Sequence, residues 1–108
     1  MEVRITSRHT TLPDSLRVRT EELLSKLKKY DARVSVVEVI FDEEKNSKKI
    51  EGILHIDRSD PIVATGEGAE FSEALSQVNE RLVRQLRKLH EQTKDHRGPP
   101  LTEALSQE

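Results

Sequence analysis

Residues Ala69–Arg97 read AEFSEALSQVNERLVRQLRKLHEQTKDHR, and this stretch decides the fold. Six apolar residues recur along it at intervals of three and four, namely Phe71, Leu75, Val78, Leu82, Leu86 and Leu89. On a helical wheel they fall within about 40° of one line, which is typical of an amphipathic helix with one narrow apolar face. We therefore predict a long C-terminal helix that packs this face on the core.

The opposite side of this helix carries its charges. Five cations lie there, at Arg81, Arg84, Arg87, Lys88 and Lys94. Four carboxylates share that side, and charged residues opposite an apolar face commonly do no more than keep a helix in water. Between Arg81 and Leu89, however, there are four cations and no carboxylate. A solvated face and a phosphate-binding face both stay open at this point.

The length and composition limit the class of protein. A chain of 108 residues has room for one domain, and although 35% of the residues are charged, the apolar residues are grouped periodically. The absence of cysteine excludes disulfides and thiolate chemistry and is consistent with a reducing compartment. No segment has the pattern of a signal peptide or the length of a membrane span. We expect a cytoplasmic protein without a membrane partner.

The net charge of −2 is distributed unevenly along the chain. Residues 1–30 contain seven cations and four acids, residues 31–70 contain five cations and ten acids, and residues 71–97 contain six cations and four acids. Positive charge is thus concentrated at the two ends of the folded region. A nearly neutral total can therefore conceal one basic side.

Hydrophobic periodicity predicts five further elements before the C-terminal helix. They are a strand at Glu2–Ser7, a helix at Pro13–Tyr30, and strands at Arg33–Glu43, Lys48–Asp57 and Ile62–Gly68. A polar turn at residues 44–47 should join two of these strands in an antiparallel hairpin. The order β-α-β-β-β-α predicts an α+β sandwich, with two helices packed on one face of a four-stranded sheet. We expect a single domain at residues 1–97 and a flexible acidic tail at residues 98–108.

Motifs for catalysis or cofactor binding are missing from the sequence. The histidines at positions 9, 55, 90 and 96 lack the spacing of a metal site, so we expect no metal. Gly66 and Gly68 do not continue into a dinucleotide-binding or P-loop motif, and we interpret them as an edge-strand bend before the helix. No nucleophile signature is present. The sequence predicts no enzyme activity, no cofactor and no small-molecule substrate.

The cations on the two predicted helices are the remaining positive feature. Lys26, Lys28 and Lys29 end the first helix, and helices on the same face of a sheet can share an open surface. The three aromatic residues, Tyr30, Phe41 and Phe71, all occupy apolar positions of their elements, which disfavours readout by base stacking. This pattern favours recognition of a structured RNA through its backbone.

Several short runs are similar to the ribosome hibernation promoting factor and protein Y family. They are RITS at residues 4–7, LLSKLKKYD at 23–31, EEKN at 43–46 and, above all, RLVRQLRKL at 81–89. The resemblance covers about residues 2–97. It implies a fold like that of double-stranded-RNA-binding domains and docking in the decoding channel of the small ribosomal subunit. Family members there overlap the messenger and transfer RNA sites and silence translation in stationary or stressed cells.

The resemblance also adds residues to the candidate site. Six positions match basic or polar residues on the RNA-facing helices of the family: Lys26, Lys29, Arg81, Arg84, Gln85 and Lys88. The complete predicted RNA-binding set is Lys26, Lys28, Lys29, Arg81, Arg84, Gln85, Arg87, Lys88 and Lys94. Arg87 stands where relatives vary, and Ser72 stands where the family usually has tyrosine. Long members of the family carry a second domain through which they dimerise. The residues after Arg97 do not have the pattern of such a domain, so we expect the free protein to be a monomer.

Two other functions compete with this hypothesis. A general double-stranded-RNA-binding module would use the same cations on any RNA duplex. A protein-interaction domain would use the sheet edge or the acidic hairpin at Asp42–Glu44 to recruit a partner.

Overall fold

The computed structural model describes the backbone of residues 1–97 and the side chains of residues 1–91, and it confirms the predicted order of elements. The elements are β1 (Glu2–Arg8), α1 (Asp14–Ser25), a short 3-10 helix (Lys26–Lys29), β2 (Val34–Glu44), β3 (Ser47–Ile56), β4 (Ile62–Gly68) and α2 (Phe71–Arg97). The predicted tail at residues 98–108 lies outside the described residues.

The four strands form one sheet in the order β1-β2-β3-β4. β1 runs parallel to β2, and the other two pairs are antiparallel. The register places Val39 between Ile5 and Gly52, so that apolar positions of neighbouring strands share one face. The buried residues of β2 and β3 on this face are Val34, Val37, Val39, Phe41, Ile50, Leu54 and Ile56. Both helices pack on it, so the predicted α+β sandwich is confirmed.

The apolar face of α2 forms the other half of the core. Five of its residues are fully buried, namely Ala74, Leu75, Val78, Leu82 and Leu86, and the predicted Phe71 and Leu89 are partly buried against them. The helix approaches the sheet very closely. A Cβ atom on Gly66 would lie 2.3 Å from the carbonyl oxygen of Ala74, and one on Gly52 would lie 2.8 Å from a methyl group of Val78. These glycines therefore make room for the helix.

β4 is an edge strand, as predicted, but Gly66 and Gly68 do not bend it. Both glycines continue the regular pairing with β3, opposite Ile50 and Lys48 respectively. Neither has a positive φ. The interpretation of this pair as a bend was wrong. At Gly66 a Cβ atom would collide with the backbone of α2, so glycine allows the close approach of the helix and does not serve an unusual backbone conformation.

The first helix differs from its prediction at both ends. Pro13 is extended, with ψ of 149°, and its carbonyl accepts hydrogen bonds from the N–H groups of Leu16 and Arg17, so the helix begins at Asp14. At the other end the α-helix stops at Ser25 and the chain tightens into a 3-10 turn. The N–H of Tyr30 donates to the carbonyl of Leu27 over 3.0 Å. This tightening keeps Leu27 buried and leaves the flanking lysines exposed.

The hairpin and the start of α2 also differ slightly from their predictions. The ladder of β2 and β3 continues to Glu44 and Ser47, which leaves a two-residue loop in which Lys45 has φ of 55°. α2 begins at Phe71 because the carboxylate of Glu73 accepts hydrogen bonds from the preceding backbone N–H groups of residues 69 and 70 over 3.0 and 3.1 Å. Such a carboxylate caps the helix from its own first turn.

Candidate RNA-binding surface

The end of the 3-10 helix contacts the C-terminal half of α2. The guanidinium carbon of Arg87 lies 5.2 Å from the centroid of the Tyr30 ring. Asp31 follows Tyr30 in the chain, and its Oδ2 atom lies 3.8 Å from Nδ1 of His90. Tyr30, which caps the 3-10 helix with its three lysines at residues 26–29, thus contacts the arginine-rich part of α2.

An open groove of about 670 Å³ lies at this junction. It is lined by Tyr30, Asn79, Glu80, Val83, Arg84, Arg87, Lys88 and Glu91. Three of these, Arg84, Arg87 and Lys88, belong to the predicted RNA-binding set and are exposed to solvent. We call this feature the Tyr30 groove.

The predicted cations whose side chains the structure describes are not paired with carboxylates of that part of the chain. Within residues 1–91, ion pairs form elsewhere, for example between Arg33 and Asp31 at 2.7 Å and between Lys48 and Glu43 at 2.6 Å. In that part of the chain no carboxylate oxygen lies within 4.0 Å of a charged nitrogen of any of these cations: Lys26, Lys28, Lys29, Arg81, Arg84, Arg87 and Lys88. Their charge is therefore available to an external anion.

Arg81 and Gln85 lie on a different side of α2 from the Tyr30 groove. Arg81 donates a hydrogen bond to the carbonyl of Thr65, and Gln85 donates one to the carbonyl of Val63 over 3.4 Å. Gln77, one turn earlier, donates to the carbonyl of Glu67 over 2.9 Å and accepts its N–H over 3.0 Å. Gln77, Arg81 and Gln85 follow one another at intervals of four residues. Together they cover the free edge of β4, where backbone groups would otherwise be unpaired.

The structure therefore divides the predicted set into two groups. Arg84 and Arg87 line the Tyr30 groove beside the 3-10 helix, whereas Arg81 and Gln85 face the edge of β4. Lys88 borders both regions, because it also lines a groove with Gln85 beside the turn at residues 59–62. Lys94 lies within α2, but its side chain is outside the described residues.

A buried carboxylate fixes the point where the 3-10 helix gives way to β2. Asp31, only 5% exposed, accepts hydrogen bonds from the backbone N–H of Arg33 and from two nitrogens of its guanidinium, at 3.0, 3.0 and 2.7 Å. The Arg33 guanidinium lowers the pKa of Asp31 to about 2, so the carboxylate is charged at neutral pH. Because Asp31 directly follows Tyr30, this anchor also positions the aromatic ring of the groove.

Reasoning from sequence missed two features of this surface. Tyr30 occupies an apolar position of its element, and its side chain packs partly against the core. Its ring also lines the groove near Arg87, which the sequence does not indicate. The role of Gln77 was missed as well. The four-residue spacing of Gln77, Arg81 and Gln85 indicates that these polar side chains lie on one side of α2. That they bond to backbone groups of β4 becomes apparent only from the position of that strand.

A metal site and a membrane-spanning helix are two further kinds of feature that the described residues could contain. Among those residues, no group of three or more histidine or carboxylate side chains could hold a metal ion. No helix there is both long and apolar enough to cross a membrane.

Comparisons with known proteins agree with the fold. The chain is 34% identical over 86 residues to a ribosome hibernation promoting factor of Azotobacter vinelandii, covering 80% of this chain and 79% of that protein. It is 28% identical over 96 residues to the ribosome hibernation promoting factor of Escherichia coli strain K12, covering 89% of this chain and all of that protein.

Solved structures show the same architecture. A ribosomal subunit interface protein from Coxiella burnetii aligns with a TM-score of 0.76 at 22% identity, over 82% of this chain and 97% of that one. The N-terminal domain of Protein Y from Thermus thermophilus aligns with a TM-score of 0.75 at 18% identity, over 82% and 99%. The family model described as sigma 54 modulation protein / S30EA ribosomal protein matches residues 3–94. The resemblance noted from the sequence is therefore confirmed, and the chain belongs to this family of ribosome-associated proteins.

Proposed function

We propose that this protein binds the small ribosomal subunit in the cytoplasm, at the decoding channel, and blocks messenger and transfer RNA binding during stationary phase or stress. By occupying the channel it would promote ribosome hibernation through steric exclusion, without catalysis. The relatives that are 34% and 28% identical over 86 and 96 residues are named ribosome hibernation promoting factors, which supports this class of function.

One structural observation carries the proposal. Arg84, Arg87 and Lys88 line one groove with Tyr30, the residue that caps the lysine-bearing 3-10 helix, and none of these cations is paired with a carboxylate in the described part of the chain. A solvated helix face would commonly neutralise its charges with intrahelical pairs four residues apart. The unpaired cluster instead suits phosphates, which arginine binds with two hydrogen bonds and lysine binds as a point charge.

The physics of phosphate binding predicts how the complex forms. Each phosphate neutralised by a lysine or arginine releases condensed counterions, so affinity should fall steeply as salt rises. The favourable free energy would come from these contacts, whereas inhibition would come from the volume of the folded domain in the channel. Messenger and transfer RNA would then compete with the protein by mass action.

Co-sedimentation with purified small subunits tests this proposal. We expect saturable binding that weakens with salt and that is displaced by transfer RNA together with messenger RNA. Binding that is unaffected by these ligands would place the protein outside the decoding channel. A free RNA duplex that competes as well as small subunits do would instead support the general double-stranded-RNA-binding module.

The structure offers less support for a protein-interaction domain built on the acidic hairpin. Its three carboxylates are already paired within the molecule: Asp42 with His9 at 2.9 Å, Glu43 with Lys48 at 2.6 Å and Glu44 with Lys49 at 2.7 Å. The edge of β4 is covered by side chains of α2. Ribosome-independent capture of a partner, resistant to ribonuclease and high salt, would nevertheless favour this alternative.

A further inference from the structure

We infer that the Tyr30 groove holds one unstacked nucleotide, whose base stacks on the guanidinium of Arg87 while its phosphate contacts Arg84 and Lys88. This inference rests on the proposed function, since it names the RNA element that the surface would recognise. It goes beyond a general affinity for phosphates because it requires a base that is free of its helix.

The position of Arg87 suits the stacking of a base. Its guanidinium carbon lies over the Tyr30 ring, 5.2 Å from the centroid, and the side chain is nevertheless exposed. A guanidinium is planar, weakly hydrated on its faces and able to stack. The guanidinium is held at the ring while the side chain stays exposed, so a second flat group can reach it from solvent. Protein surfaces that recognise single-stranded RNA commonly stack bases on aromatic rings or on arginine in this way.

The groove is lined by cations, carboxylates and an amide. A site for phosphate alone is expected to contain donors and cations, yet the carboxylates of Glu80 and Glu91 and the amide of Asn79 also line this groove. Carboxylates repel a phosphate but accept hydrogen bonds from the amino groups of bases. A ligand with an anionic end and a polar ring matches both kinds of lining. The volume of about 670 Å³ also lies within the range of small-molecule sites.

The Tyr30 ring is held in place by the residues around it. Tyr30 is partly buried against the core, and its N–H is bonded to the carbonyl of Leu27. The next residue is the buried Asp31, which is fixed by Arg33. A stacking platform that is already ordered loses little conformational entropy when a base binds.

The experiment uses the fact that Tyr30 is the only tyrosine of the chain. Protein labelled with ¹³C in the tyrosine ring gives ring signals that report on the groove alone. It is titrated with single-stranded hexa-adenylate and, separately, with an abasic ribose-phosphate hexamer of the same charge. Base stacking should move the Tyr30 ring signals saturably, and hexa-adenylate should bind about fivefold or more tightly than the abasic hexamer.

The Arg87→Lys variant tests the stacking arginine because it keeps the charge but removes the planar group. We expect hexa-adenylate to bind this variant no more tightly than the abasic hexamer does, so that the preference for a base is lost. Arg17→Lys, an equivalent exchange at an exposed position of α1 outside the groove, serves as the control and should keep the wild-type ratio. Amide spectra of both variants confirm that the fold is intact.

Several results would overturn the inference. They are equal affinity for the two hexamers, ring signals that stay fixed, no saturable binding of hexa-adenylate, or an equal loss of affinity for both hexamers in Arg87→Lys. Co-sedimentation of the same wild-type sample with small subunits separates the two proposals. If the protein sediments with small subunits but binds both hexamers equally, only the nucleotide site is rejected. If it does not sediment with them, the proposed function is rejected, whatever its affinities for the two hexamers.

Discussion

The guanidinium of Arg87 lies over the ring of Tyr30, 5.2 Å from its centroid, and this contact joins α2 to the end of the 3-10 helix. The two residues are 57 positions apart in the sequence. Their contact brings the cap of the lysine-bearing 3-10 helix into the groove that Arg84 and Lys88 also line. The groove is therefore assembled from two segments that are distant in the chain.

This contact should contribute to stability. A cation over an aromatic ring at an exposed site contributes about 0.5–1 kcal/mol. Urea unfolding of Tyr30→Leu, Arg87→Ala and the double variant should give a coupling free energy of about that size in a double-mutant cycle. A coupling of zero would mean that the two side chains are merely neighbours.

The buried carboxylate of Asp31 should make stability depend on pH. Its pKa falls from an ordinary value of 3.8 to about 2 because Arg33 stabilises the charged form. The lowered folded-state pKa stabilises the fold above pH 3.8, and this contribution is lost as pH falls toward 2. Asp31→Asn should cost about 2 kcal/mol at pH 7. The difference between wild type and variant, measured by urea unfolding from pH 7 to pH 3, should be constant above pH 5 and shrink below pH 4. A difference that is constant down to pH 3 would contradict the role of Arg33.

Gly66 should be the glycine least tolerant of substitution on β4. A methyl group there would lie 2.3 Å from the backbone oxygen of Ala74, whereas one on Gly68 would meet the flexible side chain of Glu73 at 3.0 Å. Gly66→Ala must therefore shift α2 and should cost about 1–3 kcal/mol. Gly68→Ala, the matched control, should cost less, because its nearest contacts would be longer and made with a side chain instead of the helix backbone. Thermal unfolding of the two variants compares them, and equal losses would argue against the close approach of α2.

Arg81 should act first as part of the β4 edge. Removing its side chain in Arg81→Ala leaves the carbonyl of Thr65 without that hydrogen bond, which should lower the free energy of unfolding by about 1 kcal/mol. Lys28→Ala, an exposed cation without such a bond, should leave stability within about 0.5 kcal/mol of wild type. If Arg81→Ala unfolds like wild type but binds small subunits more weakly, Arg81 belongs with the phosphate-binding group instead.

The sequence predicted the elements well where periodicity alone decides them. The apolar face of α2 and the buried positions of β2 and β3 followed from spacings of three to four and of two residues. The end of the first helix was predicted less well, because the chain changes from α-helical to 3-10 geometry at Lys26 while Leu27 stays in the core. Local patterns contain no signal for such a turn.

The candidate site was predicted as a set of residues but not as an arrangement. Arg81 and Arg84 are three residues apart and belong to one charged face on a helical wheel, yet Arg81 faces the β4 edge and Arg84 lines the Tyr30 groove. That division follows from where the sheet edge lies beneath α2. The proximity of Tyr30 to Arg87 likewise requires the tertiary structure.

Charge reversal in the Tyr30 groove, read out by co-sedimentation with small ribosomal subunits, tests the proposed binding surface most directly. The variant with Arg84→Glu and Lys88→Glu is compared with one in which Arg8→Glu and Lys45→Glu change the net charge equally. These two control cations are exposed, and neither lines the groove. We predict that the groove variant keeps its fold but no longer sediments with the subunits, whereas the control variant sediments almost as wild type does. Equal sedimentation of the two variants would show that the unpaired cations of α2 do not form the ribosome-binding surface.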